Sequence, residues 1–354
     1  MKVVVTGGAG FIGSHIVDEL VERSHEVIVV DDLDPAAHDG VPAGLSPVAR
    51  YVWRDVRDPD VWADVLGGVE SVCHQAAKVG LGVDFADVAD YVSRNDGGTA
   101  CLLRALHDRQ FAGRLVLASS MVVYGEGRYR CAEHGVVRPG PRTIDDLDAR
   151  RYEPPCPLCG GVLEPEPVPE DHRLDPRNVY AATKLSQEML GAAYAREHPV
   201  TTVTALRYHN VYGPRMPRDT PYAGVASIFR SSYASGRAPR VLEDGLQLRD
   251  FVQVRDVAHA NVLALTNDEP APGPFNVCSG TPHSILDMAL ALRPPGGPAP
   301  DVVGGYRLGD IRHVFASSQR AAEQLGFRAA IEFEGGMREL ASAPLRETIA
   351  PRPT

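Results

Sequence analysis

The stretch KVVVTGGAGFIGSHIVDELVERSHEVIVVDDL, Lys2 to Leu33, changes its period twice. Lys2 to Val5 is a short β-branched run, suited to a buried parallel strand. Ile16, Val17, Leu20 and Val21 then recur at helical spacing, and HEVIVVDD returns to a strand that ends in acid. Between strand and helix lie Gly7, Gly10 and Gly13, with Phe11 and Ile12 inside the repeat. Gly7 and Gly10 permit a tight turn and close approach of the backbone to a pyrophosphate. Gly13 lets the helix pack on the strand, and the free N–H groups at the helix start hold the anion. Asp31 or Asp32, at the end of the second strand, can accept hydrogen bonds from ribose hydroxyls. An acid there repels a 2′-phosphate, which favours NAD over NADP.

Outward from this unit, strands and helices keep alternating. ARYVWRDVRD reads as a third strand, VESVCHQAAKVG as a fourth and GRLVLASSMVVYG as a fifth. GTACLLRALHDRQ is helical, and VYAATKLSQEMLGAAYAREH is a long helix with Leu185, Met189, Ala192 and Ala193 on one face. VTTVTALRYHNVYGP supplies another strand. The pattern implies an α/β fold, a Rossmann-like doubly wound parallel sheet with ligands at the carboxyl ends of its strands. After Gly213 the elements shorten and Pro and Gly increase, which suits a smaller C-terminal substrate lobe. The expected division is a dinucleotide-binding domain over 1–208 plus about 252–278, an insertion over 126–169, a substrate lobe over 209–251 plus 279–345, and a flexible tail over 346–354.

The whole chain narrows the function further. Its 354 residues make one large domain or two ordinary ones. A net charge of -10 with no long basic run argues against nucleic acid as the main partner, since phosphate backbones need clustered Lys and Arg. No apolar run is long enough to span a bilayer, and the N-terminus reads as strand, turn and helix, not as a signal peptide, so a cytoplasmic location is expected. Six unevenly spaced cysteines do not form a disulfide framework.

Tyr180 and Lys184 are four apart on the long helix and share one face. A Lys one turn from a Tyr is expected to lower the phenol's pKa and to reach a nicotinamide ribose. That makes a base for removing a proton from a sugar or alcohol hydroxyl, with Ser120 sharing the hydrogen bond. With TGGAGFIGS, DVRD, HQAA, NDGGT, SSMVVYG, YAATK, LRYHNVYGP, LRDFVQVRDVA, FNVCSG and RLGDIR in this order, the chain resembles the extended short-chain dehydrogenase/reductase family. The nearest branch is the nucleotide-sugar 4-epimerases and dehydratases. The resemblance implies that Asp55 and Val56 border the adenine, that Ala76, Ala77, Asn95 and Ser119 line the cofactor, and that Tyr208 sits near the nicotinamide. It implies that Asn210, Arg249, Arg307 and Asp310 hold the substrate's nucleoside diphosphate, with the arginines as a pyrophosphate clamp. It also implies a homodimer joined through two helices per subunit.

The chemistry expected from this resemblance is NAD-dependent inversion at sugar C4 through a 4-keto intermediate. Related 4,6-dehydratases carry an Asp-Glu pair just after the Ser or Thr. Here those positions are Met121 and Val122, which cannot move a proton, so dehydration is rejected and an apolar sugar pocket is expected. A 4-ketoreductase is the alternative reading, and a non-catalytic nucleotide sensor a remote one.

Two short motifs stand apart. RYRCAEHG places Cys131 and His134 as C-x-x-H, and CPLCGG places Cys156 and Cys159 as C-x-x-C. Two ligand pairs on two turns match a Cys3His structural zinc site, against a redox pair or unliganded cysteines. The polar, Pro-rich segment around them cannot bury a core, and a metal can supply the missing folding energy. A Cys/His insertion of this kind, with PYAGVASIFRSSYASG and EDGLQLRDFVQV, is similar to the subgroup of dTDP-L-rhamnose 4-epimerase. The insertion is expected to wall the sugar pocket. Cys73, Cys101 and Cys278 read as core residues.

Overall fold

Seven short, β-branched strands form one parallel sheet in the computed structural model, which describes residues 1–80, 85–217, 224–344, 346 and 348–350. In chain order they are β1 (Lys2–Thr6), β2 (Glu26–Val30), β3 (Arg50–Val52), β4 (Ser71–His74), β5 (Arg114–Ser120), β6 (Thr202–Tyr208) and β7 (Gly273–Val277). Their order across the sheet is β7-β6-β5-β4-β1-β2-β3. The order reverses beside β1, so the crevice of a doubly wound fold opens between the ends of β1 and β4.

Alternation along each strand divides the core. Val3 and Val5 face one layer and Val4 the other. The first layer holds α1 (Phe11–Glu22), packed through Ile16, Val17 and Leu20 on the later helix Val254–Thr266 with its Val257, Ala258 and Val262. The second holds α2 (Pro59–Val65), α3 (Gly98–Asp108) and α4 (Val179–Glu197), contributing Trp62, Leu102, Leu106 and Tyr194. Trp62 adds a hydrogen bond from Nε1 to the Val56 carbonyl at 3.0 Å, which satisfies its buried polar edge.

Register sets the crevice. Thr6 lies opposite both Val30 and His74, and Ser120 lies opposite Tyr208, all at carboxyl ends. Beyond β6 the chain leaves this sheet. Asn210–Tyr212 pairs with Leu248–Gln253, which pairs in turn with Pro282–Ser284. A separate core of Tyr212, Phe229, Tyr233, Phe251, Met288, Phe333 and Met337 fills the smaller lobe.

The insertion folds as a three-stranded antiparallel sheet, Arg128–Cys131 between Gly135–Val137 and Leu163–Glu166. Its buried cluster is small: Tyr129, Cys131, Cys156 and Leu163, with Val137 against them. Half of the four buried residues are cysteines. Of the tail expected over 346–354, residues 347 and 351–354 lie outside the described residues, as do residues 221–223 of the PYAGVASIFRSSYASG motif. Thr348–Ala350 pairs with Val41–Pro42.

Candidate active site

The glycine turn closes on itself. Gly7 donates to the Val30 carbonyl at 2.8 Å, and Gly10 to the Gly7 carbonyl at 3.0 Å. A Cβ on Gly13 would lie 2.1 Å from the Gly7 carbonyl oxygen, so only glycine lets α1 start this close to β1. Gly10 caps α1 with backbone alone, and no side chain satisfies the first N–H groups. Phe11 and Ile12 follow at the start of the helix. An uncapped helix start behind a glycine turn is a site for an anion such as a pyrophosphate.

The acids after β2 divide the work. Asp31 is buried and accepts from Ala9 N and Leu33 N, both at 2.9 Å, so it pins the glycine turn to the end of β2. Burial pushes its carboxyl up to about 6. Asp32 is more open and faces Arg94 at 3.4 Å. Asp55 accepts from Arg57 N at 2.8 Å. Burial works to raise its carboxyl, but the Arg57 contacts hold it below the usual range. Val56 is buried beside Gly98.

The crevice floor is a polar chain. Thr6 Oγ1 accepts from Ala76 N at 3.1 Å and contacts His74 Nδ1 at 2.8 Å, while His74 Nε2 meets Thr99 Oγ1 at 3.1 Å. Burial, then the Lys184 charge, lowers His74 to about 3, so the imidazole stays neutral. Asn95 sits in a π-helical turn, Val92–Gly97, that leads into α3. Its amide donates to Thr183 Oγ1 at 2.9 Å and to the Lys78 carbonyl at 3.0 Å. Ala76 and Ala77 are half-buried at the mouth of the crevice.

Above the floor stand the three expected catalytic side chains. Ser120 ends β5, and Asn178 caps α4 through Ala181 N at 2.8 Å, which places Tyr180 in its first turn. The Ser120 hydroxyl lies on the Tyr180 side and works against the effect of burial on the phenol. Lys184 follows one turn later, with Nζ 6.0 Å from the Tyr180 ring centre and bonded to the Ala118 carbonyl at 2.8 Å. The electrostatics differ from the sequence-based expectation. Burial pushes Tyr180 up to about 12, partly offset by Ser120, and burial draws Lys184 down to about 7. The Lys184 amine is aimed at a backbone carbonyl, and burial dominates at the phenol.

Two residues essential to this frame escaped the sequence reading. Glu188 is buried one turn beyond Lys184 and forms an ion pair with buried Arg207 at 2.7 Å. Ser119 donates to the same carboxylate, and Arg207 donates to the Tyr124 hydroxyl at 2.9 Å. The spacing Tyr180, Lys184, Glu188 on one helical face was a usable signal. Tyr208, deeply buried, donates to Asn261 Oδ1 at 2.8 Å, and burial raises its phenol.

The substrate side is less uniform. Met121 and Val122 open a 3-10 turn after Ser120 and are half-buried. Asn210 Oδ1 is buried without a hydrogen-bond partner among the described residues, as ligand-facing groups often are. Arg249 is half-buried and donates to the carbonyls of Leu248, Ile311 and Arg312 at 2.8, 2.7 and 2.9 Å. Arg307 is exposed and pairs with Asp310 at 3.3 Å.

Within the insertion, one ligand atom each from Cys131, His134, Cys156 and Cys159 lies within 4.8 Å of the others. Cys131 Sγ is 3.5 Å from His134 Nδ1 and 3.7 Å from Cys159 Sγ, and Cys156 Sγ is 3.7 Å from His134 Nδ1. Zinc–sulfur bonds of about 2.3 Å in a tetrahedron give edges of about 3.6–3.8 Å. Gly160, at φ +71°, makes the turn that folds CPLCGG back, with Gly160 N donating to the Cys156 carbonyl at 2.8 Å.

A family model described as the NAD dependent epimerase/dehydratase family matches residues 3–142 and 159–278. The unmatched stretch between them falls inside the insertion. dTDP-L-rhamnose 4-epimerase of Burkholderia thailandensis is 34% identical over 96% of this chain and 93% of its own length. A putative UDP-glucose 4-epimerase of Methanocaldococcus jannaschii is 29% identical over 96% of each. Among solved structures, UDP-glucose 4-epimerase of Thermotoga maritima with UDP-glucose superposes with a TM-score of 0.78, at 26% identity over 96% of this chain and 97% of that one. The Thermus thermophilus UDP-glucose 4-epimerase complex with NAD gives 0.75, at 29% identity over 96% and 98%.

Proposed function

The chain belongs to the NAD dependent epimerase/dehydratase family, and on that footing we propose that it is a nucleotide-sugar 4-epimerase. Its substrate class is a dTDP- or UDP-linked hexose or 6-deoxyhexose, inverted at C4 through a transient 4-keto sugar. The observation that carries this reading is the convergence of Ser120, at the carboxyl end of β5, with Tyr180 in the first turn of α4 and Lys184 one turn on, its Nζ 6.0 Å from the Tyr180 ring centre.

NAD fits the residues present. The uncapped start of α1 and the crowded Gly13 leave space and donors for a pyrophosphate, and acids close the ribose end. When bound, NAD supplies reversible acceptance of the hydride at C4. The rest is the work of the chain. Tyr180 takes the proton of the C4 hydroxyl and later returns it, while Ser120 shares the hydrogen bond and steadies the oxygen. Lys184, one turn along the same helix, is the residue we assign to the cofactor ribose. Met121 and Val122 offer no acid or base, so water is not expelled from the sugar.

Zinc is the proposed ion of the Cys131, His134, Cys156 and Cys159 cluster. Four protein ligands leave no open position, so its role is structural. Protein of this kind works as a homodimer in a cytoplasmic setting on this reading. Among the described residues no helix is long and apolar enough to cross a membrane.

The test is incubation with a panel of dTDP- and UDP-sugars without added cofactor, read by NMR. A C4 epimer is the expected product. In a second arm, with NAD(P)H and a 4-keto sugar nucleotide supplied, stoichiometric NAD(P)H consumption with no epimer in the first arm favours the 4-ketoreductase. A second expectation concerns the turn itself. Gly13→Ala protein should carry less than about a tenth of the wild-type NAD(H), because its methyl group meets the Gly7 carbonyl. Equal NAD(H), released by denaturation and quantified by chromatography, would contradict that placement of the cofactor.

A further inference from the structure

Residues 303–313 form neither helix nor strand, yet they carry Arg307 and Asp310, and their Ile311 and Arg312 carbonyls hold Arg249. An irregular segment keeps one conformation only when its surroundings impose it. Here the surroundings are largely the insertion. Tyr152 donates its hydroxyl to the Gly304 carbonyl at 2.8 Å, and Tyr306 donates to Asp148 at 2.7 Å. Arg142 donates to the Asp310 carbonyl at 2.6 Å. Glu153 accepts from Arg312 at 2.6 and 2.8 Å and contacts His313 Nε2 at 2.9 Å. The Arg312 side chain is 1% exposed and also meets Glu243 and Asp244, at 3.0 and 2.7 Å.

The metal cluster is mechanically linked to these contacts. Pro154 and Pro155 are all that separate Glu153 from Cys156. Two prolines with fixed φ transmit the position of the cysteine to the carboxylate. We propose that the metal-bound insertion is a positioning element for the substrate: Arg142, Asp148, Tyr152 and Glu153 hold the 303–313 loop so that Arg307 and Asp310 meet the nucleoside diphosphate. The proposal rests on the nucleotide-sugar reading above. It makes the insertion a determinant of substrate affinity and leaves the chemistry at C4 to Ser120, Tyr180 and Lys184.

The experiment uses intact protein carrying its metal and dinucleotide. In Tyr152→Phe/Tyr306→Phe protein two tethers are lost while the buried Arg312 cluster and the cysteines are untouched. Calorimetry with dTDP and UDP should show the better ligand bound about tenfold more weakly, as two lost hydrogen bonds allow. Hydrogen exchange across 303–313 should quicken, with metal content and NAD(H) unchanged and kcat within about twofold. Metal removal from the wild-type protein by a chelator should move affinity and exchange in the same direction. Unchanged affinity alongside faster exchange overturns the proposal, and so does unchanged exchange. If wild-type protein binds neither dTDP nor UDP, the nucleotide-sugar reading fails first and takes the proposal with it.

Discussion

Tyr180→Phe protein is expected to fold, retain its dinucleotide and turn over nucleotide sugar about a thousandfold more slowly. The substitution removes one oxygen, so the half-buried ring keeps its packing beside Tyr91, 6.2 Å away between centres. What disappears is the group that exchanges a proton with the substrate, a contribution of about 10²–10⁴-fold in general acid–base catalysis. The pH profile adds a readout that packing damage does not mimic. Burial raises the phenol to about 12 in the free chain, so the reactive phenolate is scarce at neutral pH and its fraction grows as pH rises. For wild-type protein kcat/KM should therefore climb on the alkaline side, and in Tyr180→Phe the climb should vanish along with most of the rate. Tyr180→Phe activity within a few-fold of wild type would remove the phenol from the mechanism.

The second large effect concerns the insertion. Cys156→Ser/Cys159→Ser protein is expected to lose its single equivalent of zinc and to melt roughly 5–10 °C lower. The insertion's own buried cluster has only four residues, two of them cysteines of the proposed zinc site. Without the ion, those thiols leave a core too small to order the three strands around it. Structural zinc sites in isolated fingers contribute about 10–16 kcal/mol of apparent binding energy. In a chain with larger cores elsewhere only part of that appears as global stability. An expected loss of about 3–5 kcal/mol corresponds to the stated melting shift, since a chain of this length moves only about 2 °C per kcal/mol. Metal analysis and calorimetric melting check both halves. An unchanged zinc content, or an unchanged melting temperature after zinc loss, contradicts the structural role.

What could be read from the bare sequence follows the range over which the physics acts. The dinucleotide turn was legible because Gly7, Gly10 and Gly13 answer a local steric demand, seen as the 2.1 Å approach at Gly13. The Tyr180–Lys184 pair was legible from helical period, and the convergence of Cys131, His134, Cys156 and Cys159 from two short motifs. The doubly wound parallel sheet followed from the alternation of strands and helices, because parallel neighbours need crossovers. Charge at the site was a different matter. Sequence spacing pointed to Lys184 as the agent that acidifies Tyr180, but burial of both groups dominates. The ammonium is spent on the Ala118 carbonyl. Glu188 and Arg207 looked like ordinary helix and strand residues until folding joined them.

The tethers of the 303–313 loop were the least legible of all. Arg142 and Asp310 are 168 residues apart, and Tyr152 and Gly304 are 152 apart. No periodicity links such positions, and each partner alone is an unremarkable polar residue. Arg249 shows the same limit. The resemblance implied a phosphate ligand, and only the structure shows that its guanidinium also organises the carbonyls of the loop that carries Arg307.

At the centre of the account a hydrogen leaves C4 of the sugar and comes back to the same carbon from the other side. The direct measurement is epimerisation in D2O, with the product's C4 position read by proton NMR. Inverted product that retains protium at C4 is the result the account predicts. Inverted product carrying deuterium there would show a proton exchanged with solvent and contradict it.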